Sequence, residues 1–173
     1  CILRCQVIVE GVPTSWCAQH DRHTLAPCRG RSYELPSLSG MESVGIVRFL
    51  MRIESPDEPV KRAIRSAVAW FKRVELRGIR VERKIEEGQP GGMDTVVVRD
   101  PRAPSIWARF YDLHSNQPIF SSRDGVPRAK LAEISHERRN GYSWLGPYAR
   151  VLLDEDLPRW RARNTAGAHG TVK

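Results

Sequence analysis

Ser39-Gly-Met-Glu-Ser-Val-Gly-Ile-Val-Arg-Phe-Leu-Met-Arg-Ile53 is the stretch whose reading decides the fold. Ser39-Gly-Met-Glu42 has the form of a capping box, in which a serine side chain accepts from the backbone N–H three residues on while the glutamate reaches back. Behind it Val44, Val47, Leu50 and Met51 recur at helical spacing up to Ile53. Ser55-Pro-Asp-Glu58 reads as a second box, with Pro56 at the first helical position, where its missing N–H costs nothing. Val60, Ile64, Val68 and Phe71 then form one apolar stripe, and Gly78 supplies a stop. Two consecutive helices are therefore expected.

Beyond Gly78 the period changes. Ile79, Val81 and Ile85 alternate roughly in twos, Gln89-Pro-Gly-Gly is a turn, and Thr95-Val-Val-Val98 reads as a strand. Trp107-Ala-Arg-Phe-Tyr111 is another strand candidate, and Asp112 to Pro118 turns the chain into Ile119-Phe120. Leu131 to Arg139 fits a short helix ended by Asn140-Gly141, and Asp156 to Trp160 lies in a last one. Asn164 to Lys173 is small and polar, a disordered tail by composition. In the other direction Thr14 to Leu38 is irregular, broken by Pro27, Gly30 and Pro36, and a long irregular segment of this kind is often functional. Cys1 to Val9 opens apolar and already periodic, as the end of a buried helix or a short strand, which reads as a chain cut inside an element.

The chain has 173 residues, enough for one domain with a real core and too few for two sizeable ones. No run of 18 or more apolar residues occurs, so no membrane-spanning helix is expected. The formal charge is +8, and 23 of the 28 basic residues are arginines. Arginine suits bidentate recognition of planar anions such as carboxylates or phosphates, although a GC-rich genome would produce the same bias. Basic charge alone fits nucleic acid, anionic lipid or an acidic polysaccharide equally well.

Cys17, His20, His23 and Cys28 crowd into twelve positions, too tight for the usual two-pair zinc pattern. A Cys17–Cys28 disulfide around the Pro-containing loop is the most natural of the possible pairings. A Gly-x-Ser-x-Gly elbow, a phosphate loop, paired zinc histidines and calcium-hand spacing are all missing from the sequence. What remains is arginine beside aromatics. Arg31-Ser-Tyr33 sits in the irregular segment, and Phe120-Ser-Ser-Arg123-Asp-Gly125 carries an arginine into a turn. Strand alternation would put Trp107, Arg109 and Tyr111 on one face. An arginine fork between flat rings suits a sugar acid, with the ring stacked and the carboxylate gripped, and suits single-stranded nucleic acid as well.

An ordered set of blocks carries a resemblance. Trp16-Cys-Ala-Gln-His-Asp21, Thr24-Leu-Ala-Pro27, Arg31-Ser-Tyr-Glu-Leu-Pro-Ser-Leu-Ser-Gly40 and Glu42-Ser-Val-Gly-Ile46 resemble successive blocks of the family ten pectate lyases. Trp107-Ala-Arg-Phe-Tyr-Asp112, Pro118 to Gly125 and Glu137-Arg-Arg-Asn-Gly-Tyr142 continue the series to about Trp160. The resemblance implies a mainly α fold, a partial (α/α) toroid with a small antiparallel β insert. Residues 1–163 would be the C-terminal portion of the catalytic domain and 164–173 the tail. It implies a secreted, monomeric enzyme that cleaves polygalacturonate by β-elimination, with calcium acidifying the proton on carbon five. Arg31 matches the catalytic base, and Arg109 and Arg123 match binders of the substrate's carboxylates. A guanidinium is ordinarily always protonated, a conflict softened because such enzymes work in alkali and because neighbouring cations lower a pKa. The family also uses a lysine before the base. None occurs here before Lys61, which leaves Arg22 or Arg29 to replace it. The family's calcium ligands lie upstream of these blocks, so no metal ligand is assigned to this chain. No nucleic acid or membrane partner is implied. The competing reading is a non-catalytic module that binds an acidic polysaccharide or nucleic acid.

Overall fold

The computed structural model describes residues 1–166. Ser39 does cap the first helix, α1 (Glu42–Met51): its Oγ accepts from the Glu42 N–H at 2.9 Å. The reciprocal half of the box is replaced, because the Ser39 N–H donates to the Trp16 carbonyl at 2.7 Å and the Glu42 carboxylate takes the Ser39 hydroxyl instead. Helix α2 (Glu58–Arg73) begins later than its expected box. Asp57 is the cap, accepting from the Val60 N–H at 2.9 Å, and Pro59 occupies the first turn, so Ser55 and Pro56 precede the helix. An aspartate next to the helix start satisfies an orphan N–H as well as a serine would. The helix also stops at Arg73, short of Gly78.

The stripe of Val60, Ile64, Val68 and Phe71 is buried as expected, with Trp70 beside it, against Val44, Val47 and Leu50 of α1. Ahead of these helices a 3-10 turn (Ile2–Cys5) leads into a hairpin of β1 (Ile8–Val9) and β2 (Val12–Pro13). Strand β3 (Leu38–Ser39) leads directly into α1. After α2 comes the longest hairpin, β4 (Ile79–Ile85) and β5 (Met93–Arg99), in register from Ile79 opposite Arg99 to Ile85 opposite Met93.

Strands β6 (Trp107–Ala108) and β7 (Phe110–Tyr111) follow, then β8 (Phe120–Ser121) paired with β9 (Pro127–Arg128). A 3-10 turn (Leu131–Glu133), helix α3 (His136–Gly141) and β10 (Leu145–Gly146) come next. A π-helical turn (Leu152–Asp156) runs into α4 (Leu157–Ala166). Asn164, expected in the tail, is helical and donates to the Trp160 carbonyl at 2.8 Å, whereas residues 167–173 lie outside those described.

The expectation of a mainly α toroid is overturned. Among the described residues ten strands accompany four α-helices, and all five two-stranded sheets are antiparallel. The reason is local. Apart from the long hairpin each strand is two residues long, too short for alternation to register in a sequence. These strands sew the irregular segments together instead of forming a separate insert. Trp107 to Tyr111 is not one strand either, because β6 pairs with β10 while β7 pairs with β3.

Two apolar clusters result. The larger joins α1, α2 and α4 with Trp16, Trp107 and Tyr111, and the smaller holds Tyr33, Phe110, Phe120, Leu131, Ile134 and Trp144. All four cysteines are thiols, so the Cys17–Cys28 disulfide is not formed; the Cys17 Sγ lies 3.7 Å from the Cys28 carbonyl oxygen. No helix of the described residues is long and apolar enough to cross a membrane.

Candidate functional site

The short strands carry each candidate arginine toward the smaller cluster. Pairing of β3 with β7 lays the irregular segment beside the strand break at Arg109, where the Gly40 N–H donates to the Arg109 carbonyl at 2.8 Å. The Arg109 N–H in turn donates to the Trp144 carbonyl at 2.7 Å, which brings up the segment that carries Tyr142. The Ile119 N–H donates to the Phe110 carbonyl at 3.0 Å, and β8 then leads into the turn bearing Arg123. The Ser135 N–H ties that turn to the start of α3 through the Ser122 Oγ at 2.7 Å.

Arg31, Arg109 and Arg123 are thereby gathered around Tyr33 and Tyr142. The Arg31 guanidinium carbon lies 5.0 Å from the Tyr33 ring centroid and 5.4 Å from that of Tyr142. That of Arg109 lies 4.5 Å from the Tyr142 centroid and 5.7 Å from that of Phe110. Arg123 is near enough to Arg31 for the two cations to repel, which offsets part of the upward pull that Glu137 exerts on Arg123. A fourth cation, Arg138, lies 4.6 Å over Tyr33 and is buried. Trp107 and Tyr111 do not share the face of Arg109. Both are buried among the helices, where the Trp107 Nε1 donates to the Phe71 carbonyl at 2.8 Å and the Tyr111 hydroxyl to the Val74 carbonyl at 2.9 Å. The strand break at Arg109 interrupts the alternation that predicted one face.

Each arginine has a glutamate. Arg31 binds Glu34 at 2.5 Å, and the Arg31 N–H and the Tyr142 hydroxyl donate to the same carboxylate at 2.9 and 2.7 Å. Arg109 pairs with Glu42. Arg123 and Arg138 share Glu137, at 2.8 Å from the Arg123 Nη2 and 2.8 Å from the Arg138 Nε. Hydrogen bonds from Arg31 hold the Glu34 carboxyl down at about 2, and those from Arg123 and Arg138 do the same to Glu137. Reciprocally, Glu34 pushes the Arg31 guanidinium well above its ordinary value, the opposite of the lowering that a base role calls for. Burial, with the hydrogen bond to Glu34, raises the Tyr142 phenol.

Glu34, Glu137 and Tyr142 were not singled out by sequence reasoning, and Glu42 was read only as part of the helix cap. Glu34 and Glu137 stand inside the blocks that carry the resemblance, so the signal was present. Arg29 sits against the Arg123 turn, with its Nη1 3.1 Å from where a Cβ on Gly125 would lie. Gly125 has φ +71, so the turn is doubly suited to glycine. Arg22, the other candidate for the missing lysine, instead donates to the His23 Nε2 at 2.8 Å.

The carboxylates here do not fit a calcium ion. Among the described residues no three His, Cys, Asp or Glu side chains group as metal ligands. Asp21 is occupied by the N–H groups of His23 and Thr24, Asp112 by those of His114 and Ser115, and Asp124 by Arg128 and the Val126 N–H.

Comparison with known proteins bears on this face. Residues 1–153 match the family model described as pectic acid lyase. The family 10 polysaccharide lyase from Cellvibrio cellulosa superimposes with a TM-score of 0.78 at 38% identity, over 91% of this chain and 47% of that one. A mutant of the same lyase in complex with trigalacturonic acid gives 0.75 at 37% identity, over 98% of this chain and 48% of that one. The chain thus spans about half the length of these solved structures. No curated protein matches it. With the ordered blocks matched end to end and the arginine-lined face built from them, this chain belongs to the pectic acid lyase family.

Proposed function

We propose that this chain is the C-terminal part of a secreted, monomeric pectate lyase that cleaves polygalacturonate by β-elimination. The observation that carries the reading is the gathering of Arg31, Arg109 and Arg123 around the Tyr33 and Tyr142 rings, in a fold similar to a lyase solved with trigalacturonic acid. Arg109 and Arg123 grip the uronate carboxylates, and the half-buried Tyr142 ring lies against the sugar. Neutral Arg31 takes the proton from carbon five, the electron pair forms the carbon four–five double bond, and the glycosidic oxygen leaves from carbon four. Because Glu34 favours the charged guanidinium, the neutral form of Arg31 requires alkaline solution. Arg29, which makes no ion pair among the described residues and lies at the Arg123 turn, takes the place of the lysine that the resemblance calls for. Calcium dependence is part of the proposal, with ligands supplied from outside residues 1–173.

The test uses the full-length protein that contains this chain. On polygalacturonate it is expected to raise near-ultraviolet absorbance from the carbon four–five double bond, and a chelator is expected to abolish the rise. New reducing ends without that absorbance would mean hydrolysis and would overturn the proposal.

A further inference from the structure

Glu137 serves two arginines that differ in how free they are to leave it. Arg138 is 8% exposed, lies over the Tyr33 ring at 4.6 Å, and has the Glu137 carboxylate as its acidic partner. A buried cation stripped of its partner is costly, so this contact is obligatory. Arg123 is the opposite case. Its side chain is 66% exposed and that of Glu137 is 52% exposed, and it meets the carboxylate at 2.8 Å (Nη2) and 3.2 Å (Nε). It stands beside the Asp124-Gly125 turn, which the Ser135 N–H ties to the start of α3 through the Ser122 Oγ at 2.7 Å. An exposed ion pair of this kind is worth little and breaks readily.

Taking the lyase reading as given, we infer that Glu137 is a built-in competitor of the substrate: it holds the Arg123 fork between turnovers and yields it to an arriving uronate carboxylate while staying with Arg138. The exchange is like for like. A bidentate carboxylate replaces a bidentate carboxylate, so the guanidinium is never left unpaired, and the same exchange run backwards helps to eject product. A neutral methyl ester offers no anionic fork, so it leaves Arg123 on Glu137 and forgoes that contact. Glu137 therefore sets affinity for the free acid and has no such effect on the ester. Glu34 and Glu42 cannot act in this way as easily. Glu34 is buried and also holds the Tyr142 hydroxyl, and the Arg109–Glu42 pair is bound to the Ser39 cap.

The experiment measures equilibrium binding of trigalacturonate and of its fully methyl-esterified counterpart to full-length protein, at one ionic strength and one calcium concentration. Glu137→Gln keeps an oxygen acceptor for Arg138 while removing the competing charge. It is expected to tighten trigalacturonate by about two- to fivefold, the range for an exposed ion pair that no longer has to be broken, and to leave the ester unmoved. In an Arg123→Gln background the same substitution should change neither ligand. Glu137→Asp, which keeps the charge but is shorter by one methylene, should give a smaller tightening and serves as the readout if Glu137→Gln does not fold. Weakening of both ligands, or equal change in both, would show that Glu137 only supports Arg138 and Tyr33, and would overturn the inference. Wild-type protein that fails to bind trigalacturonate would overturn the lyase reading and this inference together. Normal wild-type binding with no tightening in either variant would overturn this inference alone.

Discussion

At the residue scale the pairing of Arg31 with Glu34 makes the base role testable in two directions. Arg31→Ala in the full-length enzyme is expected to lower kcat on polygalacturonate by about two to four orders of magnitude, the range for a lost acid–base group, with a much smaller change in binding. If Arg29→Ala is equally damaging while Arg31→Ala does little, the base is the other arginine of that loop. Glu34→Gln addresses the pKa. Glu34 raises Arg31 chiefly through its hydrogen bond, so removing the charge lowers the guanidinium pKa and enlarges the neutral fraction at any given pH. The alkaline rise of kcat should then move to lower pH in Glu34→Gln. A profile that does not move would show that Arg31 acts as a cation throughout. The three arginines were legible in the sequence because their residue types and blocks are distinctive. Their glutamates were not, since sequence separation hides a partner such as Glu42, which is 67 positions from Arg109. For Arg31 the neighbouring cations suggested a lowered pKa, whereas Glu34, three positions on in the same block, holds it raised.

At the element scale α3 is anchored to β5. Asp94 of β5 accepts from Arg139 through both oxygens at 2.7 Å and from the Asn140 Nδ2 at 2.9 Å, while the Thr95 N–H adds a fourth donor at 2.8 Å. The hydrogen bond from Arg139 holds the Asp94 carboxyl well below the carboxylate range, against the opposing effect of burial. Both partners are buried, so Asp94→Ala leaves an uncompensated cation and is expected to cost about 3–5 kcal/mol in denaturant unfolding. A loss below about 1 kcal/mol would mean that the hairpin does not anchor α3. The pH sign follows from the lowered pKa: the stabilisation is complete above the ordinary Asp range and is lost as the solution is acidified below it. Acid unfolding of Asp94→Ala should accordingly be flatter than that of the wild type. The β4–β5 hairpin and helices α1 and α2 could be read in advance because each is long enough to show its period, as the buried stripe of α2 demonstrates. Two-residue strands such as β3 and β7 have no period to show. Their pairing is decided by tertiary contacts, here the Gly40 N–H on the Arg109 carbonyl, so nothing in the sequence pattern opposed the toroid that the resemblance implied.

At the scale of the whole molecule, the face that gathers the arginines is less basic than the +8 of the chain suggests. Arg31, Arg109, Arg123 and Arg138 meet Glu34, Glu42 and Glu137, so most of their positive charge is already answered within the protein. Residues 1–173 expressed alone should therefore hold polygalacturonate only weakly, and only at low salt, where screening is least. They should also show no elimination activity. The aspartates that could be asked to hold calcium are occupied by their own turns, and the chain spans about half of the lyase structures it resembles. Ile8, Phe49 and Val12 are 65%, 55% and 54% exposed, and apolar surface of this kind favours association, so low solubility is expected as well. The assay is the purified chain with saturating calcium at alkaline pH, following near-ultraviolet absorbance on polygalacturonate, with retention on a polygalacturonate matrix read across a salt gradient. Robust elimination by residues 1–173 would mean that a calcium site forms within them on substrate binding. Asp21, Asp112 and Asp124 would then be the carboxylates to substitute, since each would have to release its turn to take the ion. Retention that persists at high salt would instead indicate that stacking on Tyr142, and not the arginines, provides most of the hold on the sugar.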